Sequence, residues 1–185
     1  MTDPYFFGYG SLVNRATHAF PDARPAVATG WRRLWRHIEG RPYAVLTAVP
    51  CPGTSIEGLI AAVPDSDWQA LDAREGAYDR IDAAGHVSHD LTPAPPLAIY
   101  WIPEEKHPAA ITRQPVLLSY LDVVIQGYLR EFDTATARRF FDTTDGWGGV
   151  LDDRTRPVYP RHQPLTDSER AFVDAELAAR GIARV

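Results

Sequence analysis

The sequence predicts an α+β fold: a compact mixed sheet or small β-barrel with flanking helices and a helical C-terminal flank. Strand-like apolar runs dominate the first hundred residues, and helical periodicity dominates the rest. The chain has 185 residues, 45% of them hydrophobic, which is enough apolar surface for the core of one domain. We therefore expect a single domain over residues 1–185.

Four segments have the composition of strands, namely residues 5–9, 44–49, 58–63 and 97–102. The first is an aromatic run that breaks at Gly10 and Ser11, where glycine lets the chain turn sharply without a Cβ. Such a turn aims consecutive backbone N–H groups at one point and makes a small nest for a carboxylate or a developing oxyanion. The alternative is an ordinary turn at the end of a strand.

Proline-rich stretches are expected to form surface connections. They comprise residues 92–96 and 157–164. Cys51 is the only cysteine, so it has no partner for an internal disulfide. Because it lies between Pro50 and Pro52, it is expected in a loop.

Three helices are predicted in the second half of the chain. The first begins near Ser119, and one of its faces carries Tyr120, Leu121, Val124 and Tyr128. The second is expected to be capped by Thr134. The third opens with a capping box formed by Thr166 and Glu169 and ends at Gly181.

A short helix from about Ser66 to Glu75 holds the best candidate for chemistry. On a period of 3.6 residues, Trp68, Leu71 and Glu75 share one face, so the carboxylate points where the apolar side chains point. Burial and the negative end of the helix dipole both raise the pKa of a carboxyl group placed there. A raised pKa suits a general acid/base near neutral pH.

Two alternatives to this interpretation of Glu75 remain open. Asp72, at the margin of the same face, is a rival acid. The second alternative is that Glu75 is only a solvated residue at a helix end, paired with Arg74 or Arg80.

The sequence gives little support for a metal or a cofactor. His86 and His89 are three residues apart, and in an extended segment this spacing sends the two rings to opposite faces, so we expect no metal site. Ser11 lacks the G-x-S-x-G elbow of a serine nucleophile, and no cofactor fingerprint is found.

Charge argues against nucleic acid and membranes as partners. Three arginines alternate with Trp31 and Trp35, but the net charge is −5, so residues 32, 33 and 36 are expected on a charged face of the sheet. No run of 18 apolar residues occurs in the sequence. We expect a cytoplasmic protein, either a monomer or a homodimer.

Several motifs together resemble the γ-glutamylcyclotransferase-like superfamily, which includes AIG2-like and ChaC-like proteins. They are, in chain order, residues 7–12 (FGYGSL), 56–60 (IEGLI) and 71–76 (LDAREG), then Tyr78 and Arg80, then residues 119–122 (SYLD) with Gly127. The resemblance covers roughly residues 5–132 as the core. We expect residues 133–185 to form a helical extension packed on that core.

The resemblance implies a cofactor-free intramolecular acyl transfer on a small-molecule γ-glutamyl substrate. The α-amine of the γ-glutamyl group attacks its own γ-carbonyl and releases 5-oxoproline and the free amine. Glu75 would be the general acid/base. The backbone around Gly10, Ser11 and Leu12 would hold the γ-glutamyl group.

Four further side chains are expected to bind substrate: Tyr9, Tyr78, Tyr120 and Arg80. Tyrosine offers a hydroxyl donor on an apolar body, although core packing is the alternative for each. Arg80 would hold Glu75 or a substrate carboxylate, or else face outward from a strand. Two other functions remain open, a non-catalytic metabolite-binding module on the same fold and a pathway-specific γ-glutamylamine cyclotransferase.

Overall fold

A curled, mixed sheet forms the centre of the computed structural model, which describes residues 2–185. Its strands are β1 (Tyr5–Gly8), β2 (Arg24–Arg36), β3 (Val45–Ala62), β4 (Asp79–Asp82), β5 (Val87–Ser88), β6 (Leu97–Trp101) and β8 (Thr144–Asp145). Along the sheet they lie in the order β4-β6-β1-β3-β2-β5, and β8 pairs with β2. A second sheet pairs β7 (Val116–Leu117) with β9 (Val150–Leu151). The predicted α+β fold with a mixed sheet is confirmed.

The long strands β2 and β3 form the largest part of this sheet. The two predicted strands at residues 44–49 and 58–63 belong to the single strand β3, and β2 was not among the predicted strands. The expectation that Cys51 lies in a loop was wrong, because β3 continues through it. Pairing with β2 jumps from Pro50 to Ser55, and at this irregularity a proline, which has no N–H, costs no ladder hydrogen bond.

Arg33 contradicts the expectation of a charged, solvated face on β2. It is fully buried and shares the inner face of β2 with Trp31 and Trp35, because alternate residues of a strand point the same way. Its guanidinium donates to the backbone oxygens of Tyr9 (3.1 Å) and Glu57 (2.5 Å). Arg33 is therefore an interior anchor for the end of β1.

Four helices complete the fold: α1 (Gln69–Arg74), α2 (Leu118–Glu131), α3 (Thr134–Asp142) and α4 (Asp167–Ala179). The helix α1 is shorter than predicted. Asp65 and Ser66 have positive φ values of 55° and 57°, which break the helical path, and the Asp67 carboxylate instead accepts the Gln69 N–H at 3.0 Å.

The other helix ends largely follow their predicted caps. The capping box of Thr166 and Glu169 at the start of α4 is confirmed, and Gly181 follows that helix with a φ of +64°. The cap of α3 is Asp133 rather than Thr134, because the Asp133 carboxylate accepts the Thr136 N–H at 2.7 Å.

The C-terminal segment packs against the sheet and the preceding helices. Buried apolar side chains from Tyr5 to Leu177 form one cluster. Trp147 lies between the rings of Trp35 and Phe141, with centroid distances of 5.4 and 5.7 Å. None of the helices within residues 2–185 combines the length and the apolar character needed to cross a lipid bilayer.

The helix α2 approaches the loop after β1 very closely at Gly127. A Cβ built on Gly127 would lie 2.8 Å from the Asn14 backbone nitrogen. The Asn14 amide donates to the Val123 oxygen and to the Gln126 side chain, both at 2.9 Å, so the loop is held against the helix. The neighbours at this contact are the backbone nitrogen, Cα and Cβ of Asn14 rather than the end of a flexible side chain, so the loop itself would have to shift.

Gly127→Ala tests this contact. In an open helix interior the change would stabilise the protein by about 0.5–1 kcal/mol, but here overpacking should destabilise it by about 1–3 kcal/mol. Urea unfolding measures the difference. Gly76→Ala is the control, because its Cβ would have no neighbour closer than 3.6 Å. A Gly127→Ala protein as stable as the parent would contradict the close approach.

Candidate active site

A cavity of about 400 Å³ opens between α1, the start of β3 and the N-terminus of α2. A recess of about 30 Å³ adjoins it along the loop after β1. The two spaces share the lining residues Ser11, Leu46, Glu75, Tyr78 and Tyr120. Most of the predicted site residues therefore meet at one place.

Glu75 lies at the C-terminal end of α1 and faces both spaces. Leu71, one turn earlier on the same face, is fully buried, as the helical spacing predicts. Only 15% of the Glu75 side chain is exposed. Burial raises the pKa of this carboxyl group, and the positive charges of Arg74 and Arg161 partly oppose the rise.

Arg74 links Glu75 to the loop after β1, residues 10–12, which we call the glycine loop. Its Nε lies 3.1 Å from Glu75 Oε1, and its Nη atoms donate to Ser11 Oγ (3.2 Å) and to the Thr17 backbone oxygen (2.9 Å). The anticipated pairing of Glu75 with Arg74 thus exists, but at a largely buried position: 8% of the Arg74 side chain is exposed. The pair fixes the carboxylate at the cavity rather than releasing it into solvent.

The loop after β1 forms one wall of the recess, with Gly10, Ser11 and Leu12 among its lining residues. Residues Ser11–Val13 form a single 3-10 turn, in which the Val13 N–H donates to the Gly10 oxygen at 3.0 Å. A Cβ on Gly10 would lie 2.7 Å from the Tyr120 hydroxyl. The absence of a side chain at Gly10 therefore lets the loop and Tyr120 approach each other.

Four tyrosines line the recess, and they include Tyr9, Tyr78 and Tyr120, which stay protonated. The Tyr9 hydroxyl donates to the Tyr100 oxygen (2.7 Å), and the Tyr78 hydroxyl donates to the Leu46 oxygen (2.6 Å). Burial raises the pKa of Tyr9, Tyr78 and Tyr120 well above the ordinary value. They offer neutral hydroxyl groups beside the glutamate.

The model of the family "Gamma-glutamyl cyclotransferase, AIG2-like" matches residues 6–116, which include the loop, Glu75 and Tyr78. The chain belongs to this family. Among curated proteins, no significant match to the sequence is found. The predicted resemblance is confirmed.

Solved structures share the fold of this family member. One described as "Gamma-glutamyl cyclotransferase" is 14% identical, covers 92% of this chain and 98% of its own, and has a TM-score of 0.58. An uncharacterised protein from Homo sapiens is 15% identical, with coverage of 92% and 97% and a TM-score of 0.57. YkqA from Bacillus subtilis is 22% identical, covering 79% of this chain and 57% of its own, with a TM-score of 0.52.

Arg80 and Asp72 line neither the cavity nor the recess of this protein. Asp72, the rival acid, accepts the Tyr100 hydroxyl and pairs with Arg80 at 3.1 Å. The Arg80 guanidinium also stacks on the Trp68 ring, 4.1 Å from its centroid. Arg80 therefore forms no contact with Glu75 and lines neither space, because Asp72 and Trp68 hold its guanidinium elsewhere, in line with the alternative of an outward-facing strand residue.

Several lining residues of the larger cavity were not among the predicted site residues, and they include Arg41, Tyr43, Tyr159 and Arg161. The last two belong to residues 157–164, which were expected to be only a surface connection, so that expectation was incomplete. The Asp153 carboxylate accepts the Ser119 N–H (2.7 Å) and the Val158 N–H (2.8 Å), which brings this segment to the N-terminus of α2. Tyr159 then packs edge-on against Tyr120, with ring centroids 5.0 Å apart.

The histidines considered for a metal lie elsewhere. His86 precedes β5, and the His89 Nδ1 accepts the Leu91 N–H at 3.2 Å. Within residues 2–185, no three side chains of His, Cys, Asp or Glu are grouped so that they would hold an ion.

Titration of Glu75 tests the electrostatics of the site. Carboxyl ¹³C shifts should show Glu75 ionising at a higher pH than an exposed glutamate, because burial disfavours its charged form. Arg74→Gln should move this titration to still higher pH, since it removes the opposing positive charge. Arg80→Gln, which removes a charge paired with Asp72, is the control and should leave the titration of Glu75 unchanged. If Glu75 ionised at a lower pH than the exposed glutamates, the argument from burial would be contradicted.

Proposed function

We propose that the protein is a γ-glutamyl cyclotransferase that converts a γ-glutamyl amino acid, peptide or amine to 5-oxoproline and the free amine. The observation that carries the proposal is the buried Glu75 carboxyl group beside the glycine loop, at the junction of cavity and recess. Family membership supports activity of this type. The substrate and the roles of individual residues are the proposal.

The substrate supplies the nucleophile in this reaction. Its α-amine forms the new C–N bond to the γ-carbonyl carbon, and the bond from that carbon to the leaving nitrogen breaks. One proton must leave the α-ammonium group, and one must reach the leaving amine. Glu75 can carry it between the two, and its raised pKa brings the carboxyl group closer to the pH at which it exchanges protons readily.

The loop supplies charge stabilisation, and the loop and the tyrosines together orient the substrate. Backbone N–H groups around Gly10, Ser11 and Leu12 would bind the γ-glutamyl group and the oxygen on which negative charge develops. Tyr9, Tyr78 and Tyr120 enclose this space with neutral hydroxyl groups. A flexible substrate folded between them is brought close to the ring conformation from which attack occurs.

Arg74 acts here as a positioning residue. It contacts both the acid/base and the Ser11 hydroxyl, so it sets the distance between the proton carrier and the loop. It also limits how far burial raises the pKa of Glu75.

Glu75→Gln tests the acid/base role. The amide keeps the shape of the side chain but cannot transfer the proton, so turnover should fall by about 10²–10⁴-fold while γ-glutamyl binding is largely kept. The assay is release of 5-oxoproline from a panel of γ-glutamyl compounds, with binding followed by calorimetry. Asp72→Asn, outside the cavity, is the matched control.

Two results would contradict this assignment. Near-normal turnover in Glu75→Gln together with an inactive Asp72→Asn would identify the other carboxylate as the acid/base. Binding of γ-glutamyl compounds without any 5-oxoproline from the parent protein would instead indicate a metabolite-binding module.

Gly10→Val tests the glycine loop. The added side chain must displace Tyr120, whose hydroxyl would lie 2.7 Å from the new Cβ, and it crowds the recess where the γ-glutamyl group would bind. Misplacement on this scale should lower kcat/KM by about 10²-fold. Circular dichroism checks that the variant is folded. Unchanged turnover and affinity in a folded Gly10→Val protein would argue against a backbone nest.

A further inference from the structure

Two arginines in the cavity have no carboxylate partner in the described chain. Arg41 and Arg161 line the larger space and are both exposed residues, and within residues 2–185 neither side chain forms a salt bridge or a hydrogen bond. The other charged lining residues, Arg74 and Glu75, pair with each other. The cavity is therefore net positive in a chain whose net charge is −5.

Neither arginine belongs to the recess beside the glycine loop. The recess beside Gly10 includes Glu75 among its lining residues but neither Arg41 nor Arg161, which line only the larger cavity. On the proposed function, a γ-glutamyl group held at the loop places its scissile amide near Glu75. The leaving group then extends into the larger cavity, toward the two arginines.

We propose that the leaving group carries a carboxylate bound by Arg41 and Arg161, so that the substrates are γ-glutamyl amino acids or γ-glutamyl peptides with a free C-terminal carboxylate. A guanidinium offers a planar pair of N–H donors that matches a carboxylate. A cationic leaving group, such as a diamine or polyamine, would instead meet like charges. This inference rests on the proposed function of the site.

The rest of the wall fits the body of an amino acid. Tyr43 and Tyr159 supply aromatic faces, and Pro42 and Leu117 supply apolar surface. A pocket of mostly apolar surface with a few placed charges binds a ligand through packing and fixes its orientation through the charges. Because neither arginine is engaged elsewhere, binding a carboxylate breaks no existing ion pair.

The test compares γ-glutamylalanine with γ-glutamylalaninamide, which lacks only the terminal carboxylate charge. For the parent protein, kcat/KM should be at least about tenfold higher for the free acid, as expected for charge-assisted hydrogen bonds. In the double variant Arg41→Gln/Arg161→Gln, the ratio of the two kcat/KM values should fall toward one. Arg156→Gln is the matched control, because Arg156 is exposed on the same segment as Arg161 but does not line the cavity.

Several outcomes would overturn the proposal. A parent protein that turns over the two compounds equally well would do so, as would a double variant that loses both activities equally, because the arginines would then bind the α-carboxylate common to both compounds. If no γ-glutamyl compound yields 5-oxoproline, the proposed function fails by itself. Calorimetric binding of the same pair then decides: tighter binding of the free acid, lost in the double variant, supports the carboxylate site, and equal affinities exclude it.

Discussion

The position of the glycine loop depends on one buried cation, the guanidinium of Arg33. It donates to the backbone oxygen of Tyr9 and to that of Glu57 on the neighbouring strand, and to the Thr143 hydroxyl (2.7 Å) at the end of α3. The Tyr128 hydroxyl of α2 donates to the same Tyr9 oxygen at 2.9 Å. Burying a charge costs free energy unless its donors are satisfied, so the sheet, the loop and two helices must come together around Arg33.

The environment of Glu75 balances two opposing effects. Desolvation favours the neutral carboxylic acid, whereas the neighbouring Arg74 favours the carboxylate. A glutamate dominated by the ion pair would stay charged and be a weak base, and one dominated by burial would stay protonated. The pairing of consecutive residues at the end of a short helix holds the carboxyl group in place, and the proposed function requires that the balance of these two effects leaves it able to exchange a proton.

The parts of the site that follow local rules were predictable. Helical periodicity placed Glu75 on the buried face of α1, and the chemistry of glycine marked the turn at Gly10. Arg33 was misjudged because its burial depends on which face of β2 meets the core, although its period-two spacing from Trp31 and Trp35 carried the signal. Tyr159 and Arg161 were missed because a proline-rich segment has no periodicity, and hydrogen bonds distant in sequence set its path.

The cavity is built from both ends of the chain, with Ser11 on one wall and Arg161 on another. The central strand β1 also pairs with a strand that is distant in sequence, β6, where Tyr5 lies opposite Leu97. Contacts so distant in sequence carry a large loop-closure entropy, which must be overcome before they contribute stability. The cavity is thus complete only after the sheet and the C-terminal segment have docked. On the proposed function, recovery of turnover during refolding would report the final stage of assembly rather than the first formation of secondary structure.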